Sequence, residues 1–243
     1  LKIIARCGVG VDNIDVDYAK SQNIFVTNSP SANLISVVEL TVALIISAAR
    51  KINLSDKHLK EGKWNRKEFV GIELYGKQLG IVGFGKAGKL VSDRMKSFGM
   101  SIAFYDPFVN DWNGPEKKLE LDELLNTSDV VSIHVIKTKE TENLISKEKL
   151  DLLKENSILI NTSRGGILDE NYLIELLKSK KIFGAGLDVY SEEPPKNIDT
   201  FIDLNLISTP HIGASTSEAQ LKAGLDTVDN IKKILAGDTT VSI

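Results

Sequence analysis

The sequence is short of several residue types, and each shortage excludes a class of protein. One cysteine, Cys7, occurs in 243 residues, so no disulfide can form within the chain and a reducing, cytoplasmic compartment is expected. The most apolar stretch, residues 42–49, is bracketed by Glu39 and Arg50 and is far shorter than the roughly 20 residues that a membrane-spanning helix needs. Thirty basic and 33 acidic residues leave a net charge of −3, which gives no general attraction to nucleic acid or to an anionic membrane. We therefore expect neither of these as a partner.

The strongest motif lies in residues 78–106. The apolar run 79–82 predicts a short buried strand. Three glycines follow it in the G-x-G-x-x-G spacing: Gly83, Gly85 and Gly88. The first permits a tight turn, the second lets a pyrophosphate approach the backbone, and the third lets the next helix pack closely on the strand. That helix is predicted over residues 86–98, so the amides of Lys86 and Ala87 at its start are expected to face the phosphates.

An acidic residue stands where a dinucleotide fingerprint requires one. The second predicted strand, residues 101–105, ends at Asp106, about 20 residues after the glycines, where a carboxylate can accept a hydrogen bond from a ribose 2′-hydroxyl. A carboxylate repels a 2′-phosphate, so NAD is expected in preference to NADP. The alternative, a glycine-rich turn in an ordinary βαβ unit, leaves Asp106 without a purpose.

Strands and helices alternate through the middle of the chain. Beyond the first strand, apolar strands are predicted at residues 101–105, 130–135, 157–161, 183–189 and 206–208, with helical segments between most of them. This alternation predicts an α/β fold with a doubly wound parallel (Rossmann) sheet, which we place at residues 74–210.

The flanking residues, 1–73 and 211–243, are predicted to form one smaller, discontinuous lobe. It contains two predicted strands, residues 1–5 and 24–27, which are too few for a stable sheet. We therefore expect further N-terminal strands in the whole protein. A long helix predicted over residues 34–59 could bridge the two lobes or pack against a partner subunit.

Three polar residues come just after predicted strands, at the edge where open parallel sheets bind their ligands. They are Arg164, Glu193 and His211. A histidine can accept the proton of a substrate hydroxyl, and a carboxylate bonded to its imidazole would orient it. An arginine can hold a substrate carboxylate through two parallel hydrogen bonds. Each residue alone has an ordinary structural explanation, but the three together beside the fingerprint favour an NAD-dependent oxidoreductase.

Other features allow two interpretations. Gly8 and Gly10 flank Val9 in a loop that is either an anion-binding nest of backbone amides or a plain turn. Arg66 and Lys67 are either solvated or hold an anionic group of the substrate. His134 follows a predicted strand and is expected to line the cofactor cleft.

The remaining unusual residues are given structural roles. Trp64 and Phe69 are expected to be packing anchors of a polar connection, and His58 is expected to be solvated at a helix end. Cys7 is most simply a small apolar filler.

Five motifs together resemble the D-isomer-specific 2-hydroxyacid dehydrogenase family. They are residues 161–170 (NTSRGGILDE), residues 186–189 with Glu193-Pro194, residues 209–214 (TPHIGA), residues 6–15 (RCGVGVDNID) and residues 38–41 (VELT). The resemblance covers essentially the whole chain. It implies NAD-dependent oxidation of a 2-hydroxy acid by a Rossmann domain joined to a flavodoxin-like substrate domain. Two places depart from the pattern: Val135-Ile136 stands where the family usually has Thr-Pro, and Val9 stands where it often has a hydroxyl.

The resemblance also implies roles for single residues. Arg164 would bind the substrate, His211 would be the acid/base, Glu193 would be its partner, and the loop 7–10 would bind the substrate carboxylate through its amides. The candidate cofactor-binding residues are Gly83, Gly85, Lys86, Ala87, Gly88, Asp106, His134, Val135, Thr162, Ser163, Asp188, Gly213 and Ala214. The candidate substrate-binding residues are Cys7, Gly8, Val9, Gly10, Arg66 and Lys67. No metal is assigned.

The substrate and the assembly are less constrained. Residues 62–67, 99–100, 213–216 and 218–220 resemble the members of the family that use 3-phosphoglycerate, which is therefore favoured over a smaller acid such as glyoxylate or hydroxypyruvate. An NAD-sensing corepressor is the alternative from another functional class. The apolar face of the helix predicted at 34–59, with the resemblance, predicts a homodimer or a dimer of dimers.

Overall fold

A computed structural model describes residues 1–196 and 198–243 of the chain. Two compact units are present: residues 1–37 together with 213–243, and residues 38–212. We refer to them as the flanking unit and the sheet unit. The helices and strands, in chain order, are β1 (Ile3–Ala5), α1 (Val16–Ser21), β2 (Phe25–Thr27), α2 (Leu34–Arg50), α3 (Ile52–Lys60), β3 (Gln78–Val82), α4 (Lys86–Lys96), β4 (Ser101–Tyr105), β5 (Lys117–Lys118), α5 (Leu121–Thr127), β6 (Val130–Ile133), α6 (Lys147–Asp151), β7 (Ile158–Asn161), α7 (Glu170–Lys178), β8 (Gly184–Leu187), β9 (Leu206–Ser208) and α8 (Ser217–Leu235), with 3₁₀ helices at Arg66–Phe69 and Ile198–Phe201.

The sheet unit is built on one parallel sheet with the strand order β5-β4-β3-β6-β7-β8-β9. Successive strands add to one side of β3 and then to the other. A topological switch point therefore lies at the carboxyl end of β3, where open α/β sheets bind their ligands. The predicted Rossmann fold is confirmed.

The central strands are hydrophobic because both faces of the sheet are covered. All residues of β6, β7 and β8 are buried, as expected for parallel strands with helices on both sides. One core contains Leu124, Ile133 and Leu173, and the other contains Ile45 and Ile81. Each such side chain contributes on the order of 2 kcal/mol by leaving water.

The boundary between the units differs from the one predicted at residues 73 and 74. The structure groups residues 38–73 with the sheet, since Val38, Leu44 and Ile45 of α2 belong to the same core as the strands. The segment after α3 is also attached there, because the Ile72 amide donates to the Ala49 carbonyl at 2.9 Å.

The helix predicted over residues 34–59 is two helices. Lys51 has a φ of 52°, the left-handed conformation, between α2 and α3. A residue other than glycine is uncommon there, and nothing in a lysine signals it. The structure also adds β5, a polar two-residue strand that the apolar pattern does not indicate.

The flanking unit contains a parallel pair, β1 and β2, in which Ile3 is opposite Phe25. Helix α8 contacts both strands. The amide of Ile243 donates to the carbonyl of Val26 at 2.9 Å. Among the described residues of the chain, no helix combines the length and the apolar character needed to cross a membrane.

Candidate active site and dinucleotide cleft

The three fingerprint glycines meet different surroundings. A Cβ placed on Gly83 would lie 2.7 Å from the His134 carbonyl oxygen, and one on Gly88 would lie 2.3 Å from the Gly83 carbonyl oxygen. Both glycines therefore allow a close backbone approach. A Cβ on Gly85 would meet nothing within 4 Å. Gly85 faces open space, which fits the pyrophosphate of a dinucleotide.

The N-terminus of α4 is also a suitable place for the pyrophosphate to bind. Gly85 is the N-cap of α4 and offers no side-chain acceptor to the first turn. The unpaired amides of a first turn and the helix dipole favour a negative charge at this position. The predicted contribution of Lys86 and Ala87 is compatible with this geometry.

Asp106 lies beside the glycine turn, at the end of β4. One oxygen of its carboxylate accepts a hydrogen bond from the Phe84 amide at 2.8 Å, and the other accepts from the Phe108 amide at 2.9 Å. The carboxylate thus holds the fingerprint turn, and its contact with the ribose stays a prediction. Two carboxylate oxygens offer about four lone-pair sites, so capacity remains for ribose hydroxyls.

His134 follows β6 and packs near the fingerprint. Its Nε2 shares a hydrogen bond of 2.8 Å with the Ser132 hydroxyl. Burial of the ring lowers the pKa of His134 to about 4, so the imidazole is neutral at physiological pH. Val135 lies next to it, with a methyl group 2.8 Å from the Cβ position of Gly83. A neutral, buried wall beside the glycines is compatible with the predicted lining role.

The turn after β7 is held by the side chain of Asn161. Its Oδ1 accepts hydrogen bonds from the Ser163 amide at 3.0 Å and hydroxyl at 2.8 Å, while its Nδ2 donates to the Arg164 carbonyl at 2.8 Å. The buried hydroxyls of Thr162 and Thr41 are 2.7 Å apart and tie the turn to α2. The guanidinium of Arg164 donates to the Ser163 carbonyl at 2.8 Å. Arg164 therefore projects from a rigid turn.

The turn that carries His211 is fixed by Asp188, a buried residue that follows β8. Asp188 Oδ1 accepts hydrogen bonds from the Thr209 hydroxyl at 2.6 Å and from the Ile212 amide at 2.8 Å. His211 between them has a φ of 52°. Asp188 was predicted only as a cofactor contact, and the structure shows that it also shapes this turn.

His211 and Glu193 form the hydrogen bond that the sequence predicts. The distance from His211 Nδ1 to Glu193 Oε2 is 2.7 Å, and the side chains are 47% and 40% exposed. Glu193 Oε1 accepts a hydrogen bond from the Tyr190 amide at 3.2 Å. Because a carboxylate only accepts, the proton of a neutral imidazole lies on Nδ1, which leaves Nε2 as an acceptor for a substrate proton.

Tyr190 is a site residue that the sequence did not reveal. Its hydroxyl contacts the Leu187 carbonyl at 3.2 Å and the Thr209 carbonyl at 3.1 Å, so it joins the turn after β8 to the turn before His211. Burial, with the nearby charge of Asp188 as the next cause, raises the pKa of Tyr190 to about 12. No spacing rule connects Tyr190 to Thr209, so only the fold brings them together.

The loop 7–10 belongs to the flanking unit and has an ordered backbone. Arg6 donates to the Cys7 carbonyl at 2.9 Å and to the Gly10 carbonyl at 3.2 Å. The Ser29 amide donates to the Gly8 carbonyl, and the Asn28 side chain donates to the Val9 carbonyl. With all four carbonyls engaged, this geometry suits the predicted anion nest, whose role toward substrate stays a prediction, as do those of Gly213 and Ala214 in the same unit.

Several structural roles predicted for single residues are wrong. Cys7 is exposed, so it is not an apolar filler. Trp64 is 79% exposed, so it is not a buried packing anchor. The Nε2 atom of His58 is buried, with the ring packed edge-on against Phe69 at 5.0 Å, so His58 is not solvated as predicted.

Arg66 and Lys67, the predicted phosphate contacts, lie on the 3₁₀ helix that precedes residue 70. Both are exposed. Neither forms an ion pair within the described part of the chain, which leaves their charges available to an anion.

Comparison with known proteins identifies the family. Residues 42–213 match the family described as D-isomer specific 2-hydroxyacid dehydrogenase, NAD binding domain. The chain is 47% identical to D-3-phosphoglycerate dehydrogenase of Methanocaldococcus jannaschii over all of its length and 47% of that protein. It is 45% identical to hydroxypyruvate reductase of Thermotoga maritima, over 97% of the chain and 78% of that protein.

Similar solved structures support the same family assignment. D-lactate dehydrogenase from Aquifex aeolicus, complexed with NAD and lactic acid, superimposes with a TM-score of 0.91 at 32% identity, covering 99% of this chain and 78% of that one. The chain belongs to the D-isomer-specific 2-hydroxyacid dehydrogenase family and contains its NAD-binding domain. It spans about half the length of the D-3-phosphoglycerate dehydrogenases that it matches.

Proposed function

We propose that this protein is an NAD-dependent dehydrogenase that oxidises a D-2-hydroxy acid, with 3-phosphoglycerate as the favoured substrate and 3-phosphohydroxypyruvate as the product. The observation that carries the proposal is the 2.7 Å hydrogen bond between His211 and Glu193, at the carboxyl edge of a sheet with an intact dinucleotide fingerprint. A corepressor that only senses NAD would not require this pair.

The proposed chemistry divides between the cofactor and the chain. NAD, when bound, supplies the hydride acceptor. His211 removes the hydroxyl proton through Nε2, since Glu193 holds Nδ1 and stabilises the imidazolium that results. Arg164 binds the substrate carboxylate. The neutral His134 lines the cofactor side of the cleft and adds no positive charge there.

The candidate 2-hydroxy acids share a carboxylate and a hydroxyl group, so they differ in the third substituent of the carbon that carries the hydroxyl. The M. jannaschii relative is named for phosphoglycerate, whereas the T. maritima relative is named for hydroxypyruvate. A phosphate needs cationic donors to offset its loss of hydration. Arg66 and Lys67 are exposed cations without ion pairs in the described chain. We infer that they contact the phosphate, across a dimer interface or within the chain.

The test is NADH formation by the full-length protein with 3-phosphoglycerate, compared with glycerate. Each charged hydrogen bond contributes about 1.5–3 kcal/mol, so the R66A/K67A double variant should lose on the order of 10²–10⁴-fold in kcat/KM for the phosphate ester and little for glycerate. The matched control is K232A/K233A, an exposed basic pair on α8. NAD should be used in preference to NADP. Equal use of glycerate, or an unaffected double variant, would contradict the phosphate assignment. If the protein reduces hydroxypyruvate but does not oxidise 3-phosphoglycerate, the smaller acid is the favoured substrate.

We also propose a homodimer and a cytoplasmic location. The homodimer is supported by the exposed apolar side chains of Trp64, Val70 and Tyr75, in the segment that follows α3. The single, exposed cysteine is compatible with a reducing compartment.

A further inference from the structure

Glu170, the first residue of α7, binds a distant turn. Its Oε1 accepts a hydrogen bond from the Ser191 amide at 2.6 Å, and its Oε2 accepts from the Ser191 hydroxyl at 3.1 Å. Ser191 lies in the turn after β8, two residues before Glu193. A helix-capping role does not explain this, because Asp169 already caps α7 through the Tyr172 amide. The carboxylate of Glu170 is therefore committed to the turn that carries Glu193.

Backbone packing joins the same two turns. A Cβ on Gly165 would lie 1.7 Å from the Tyr190 carbonyl oxygen and 2.6 Å from the Ser191 nitrogen. Only glycine allows the turn after β7 to contact the Tyr190–Ser191 peptide so closely. Gly165 is adjacent to Arg164. The peptide held by Glu170 is thus pressed against the turn from which Arg164 projects.

The contacts continue from this peptide to the catalytic pair. The amide of Tyr190 donates to Glu193 Oε1 at 3.2 Å, and Glu193 Oε2 contacts His211 Nδ1 at 2.7 Å. Movement of the Tyr190–Ser191 peptide would therefore move the carboxylate that orients His211.

Glu170 also adds negative charge close to the pair. Burial raises the pKa of Glu170, and the charge of Glu193 adds to the increase. Hydrogen bonds from the backbone and side chain of Ser191 and from the backbone of Gly166 oppose it. Glu170 and Glu193 also contribute, after burial and Asp188, to the raised pKa of Tyr190. The negative charges of Glu170, Asp188 and Glu193 therefore all act on this phenol.

We propose that Glu170 is a positioning residue, whose carboxylate locks the Glu193 turn onto the Arg164 turn and adds a second negative charge near Glu193. The inference rests on the proposed function for its catalytic meaning. Its geometric content does not depend on the substrate.

The experiment compares E170Q with wild type in the full-length protein and follows the imidazole of His211 by NMR as pH is varied. Glutamine preserves the size of the side chain and can still bond Ser191, but it removes the charge. The midpoint of the His211 titration should move about half a pH unit lower, as expected for the loss of one partly screened charge. E193Q is the positive control and should move the midpoint further in the same direction. E175Q, an exposed position of α7, is the matched control and should leave it unchanged.

Kinetics separate the positional role from the charge. E170A removes both hydrogen bonds to Ser191 and should lower kcat/KM about 10-fold, since small misplacements of catalytic groups are costly. E170Q should retain most of the rate and move the acidic limb of the pH–rate profile to lower pH. An unmoved His211 titration in E170Q would overturn the proposal. A wild-type protein without dehydrogenase activity would overturn the proposed function instead, while the NMR result would still decide the role of Glu170.

Discussion

His211 combines a reactive side chain with an unfavourable backbone conformation. A left-handed φ costs a residue with a Cβ on the order of 1 kcal/mol or more. Asp188 offsets this cost by binding the residues on both sides of His211, through the Thr209 hydroxyl and the Ile212 amide. Two carboxylates therefore orient the imidazole. Asp188 is buried and fixes the turn, and Glu193 bonds the ring itself.

Replacement of His211 should remove catalysis without removing the cofactor site. Because asparagine tolerates left-handed φ better than other residues do, H211N keeps the backbone favourable and H211A does not. Both variants should lose on the order of 10²–10⁴ in turnover, the usual contribution of a general acid–base. The affinity for NADH, measured by fluorescence titration, should change little. A near-normal rate in H211N would show that another group accepts the proton.

At the scale of residues, the sequence indicates candidate catalytic residues but not the residues that hold them in place. Arg164, Glu193 and His211 are candidates because each follows an apolar strand, which is a local pattern, and their catalytic roles stay predictions. Asp188, Tyr190 and Glu170 support them across about 20 residues of intervening chain, and no periodicity encodes such a contact. Cys7, Trp64 and His58 were misjudged for a related reason, since the exposure of one side chain depends on the fold around it.

At the scale of elements, the glycine fingerprint separates a packing requirement from a ligand requirement. Gly88 is in contact with the Gly83 carbonyl, whereas Gly85 borders open space. An alanine in place of Gly88 should therefore act on folding, and an alanine in place of Gly85 should act on cofactor binding.

We expect G88A to lower the free energy of unfolding by about 1–3 kcal/mol, the usual cost of overpacking a close contact. G85A should keep wild-type stability and lose NAD affinity, because its methyl group occupies the space left for the pyrophosphate. Urea unfolding and NADH titration of both variants make the comparison. Equal destabilisation by the two alanines would show that Gly85 is also a packing position.

Secondary structure was predicted where local chemistry determines it. Strand β4 has the bounds predicted for it, and β3 agrees to within one residue, because apolar runs and glycine positions define both strands. The break at Lys51 was missed since the left-handed residue is a lysine. Strand β5 was missed since its two lysines are polar and only pairing with β4 makes them a strand.

At the scale of the whole molecule, self-association is expected from a different surface than the one first predicted. The apolar face of α2 packs inside the sheet unit, so it is not available to a partner. Exposed apolar side chains instead occur at Trp64, Val70 and Tyr75, which are 79%, 68% and 81% exposed. Such a concentration in one segment is typical of an interaction surface.

Sedimentation of the full-length protein should show a dimer at micromolar concentration. A W64E/Y75E double variant should shift it toward monomer, because burying two carboxylates at an interface is costly. F108E, at an exposed aromatic residue outside the segment, is the matched control. A monomeric wild-type protein would rule out the homodimer, and an unaffected double variant would place the interface elsewhere.

The flanking unit is assembled from both ends of the chain described here, and this has a consequence for synthesis on the ribosome. Residues 38–212 can fold as a unit once they have left the exit tunnel, since proteins generally fold domain by domain during translation. Residues 1–37 are made before residues 38–212, yet α8 and Ile243, which pack on them, are made after residue 212. The packing of residues 1–37 is therefore completed only after the whole sheet unit has been made. Until then, the pair β1 and β2 lacks its contacts with α8.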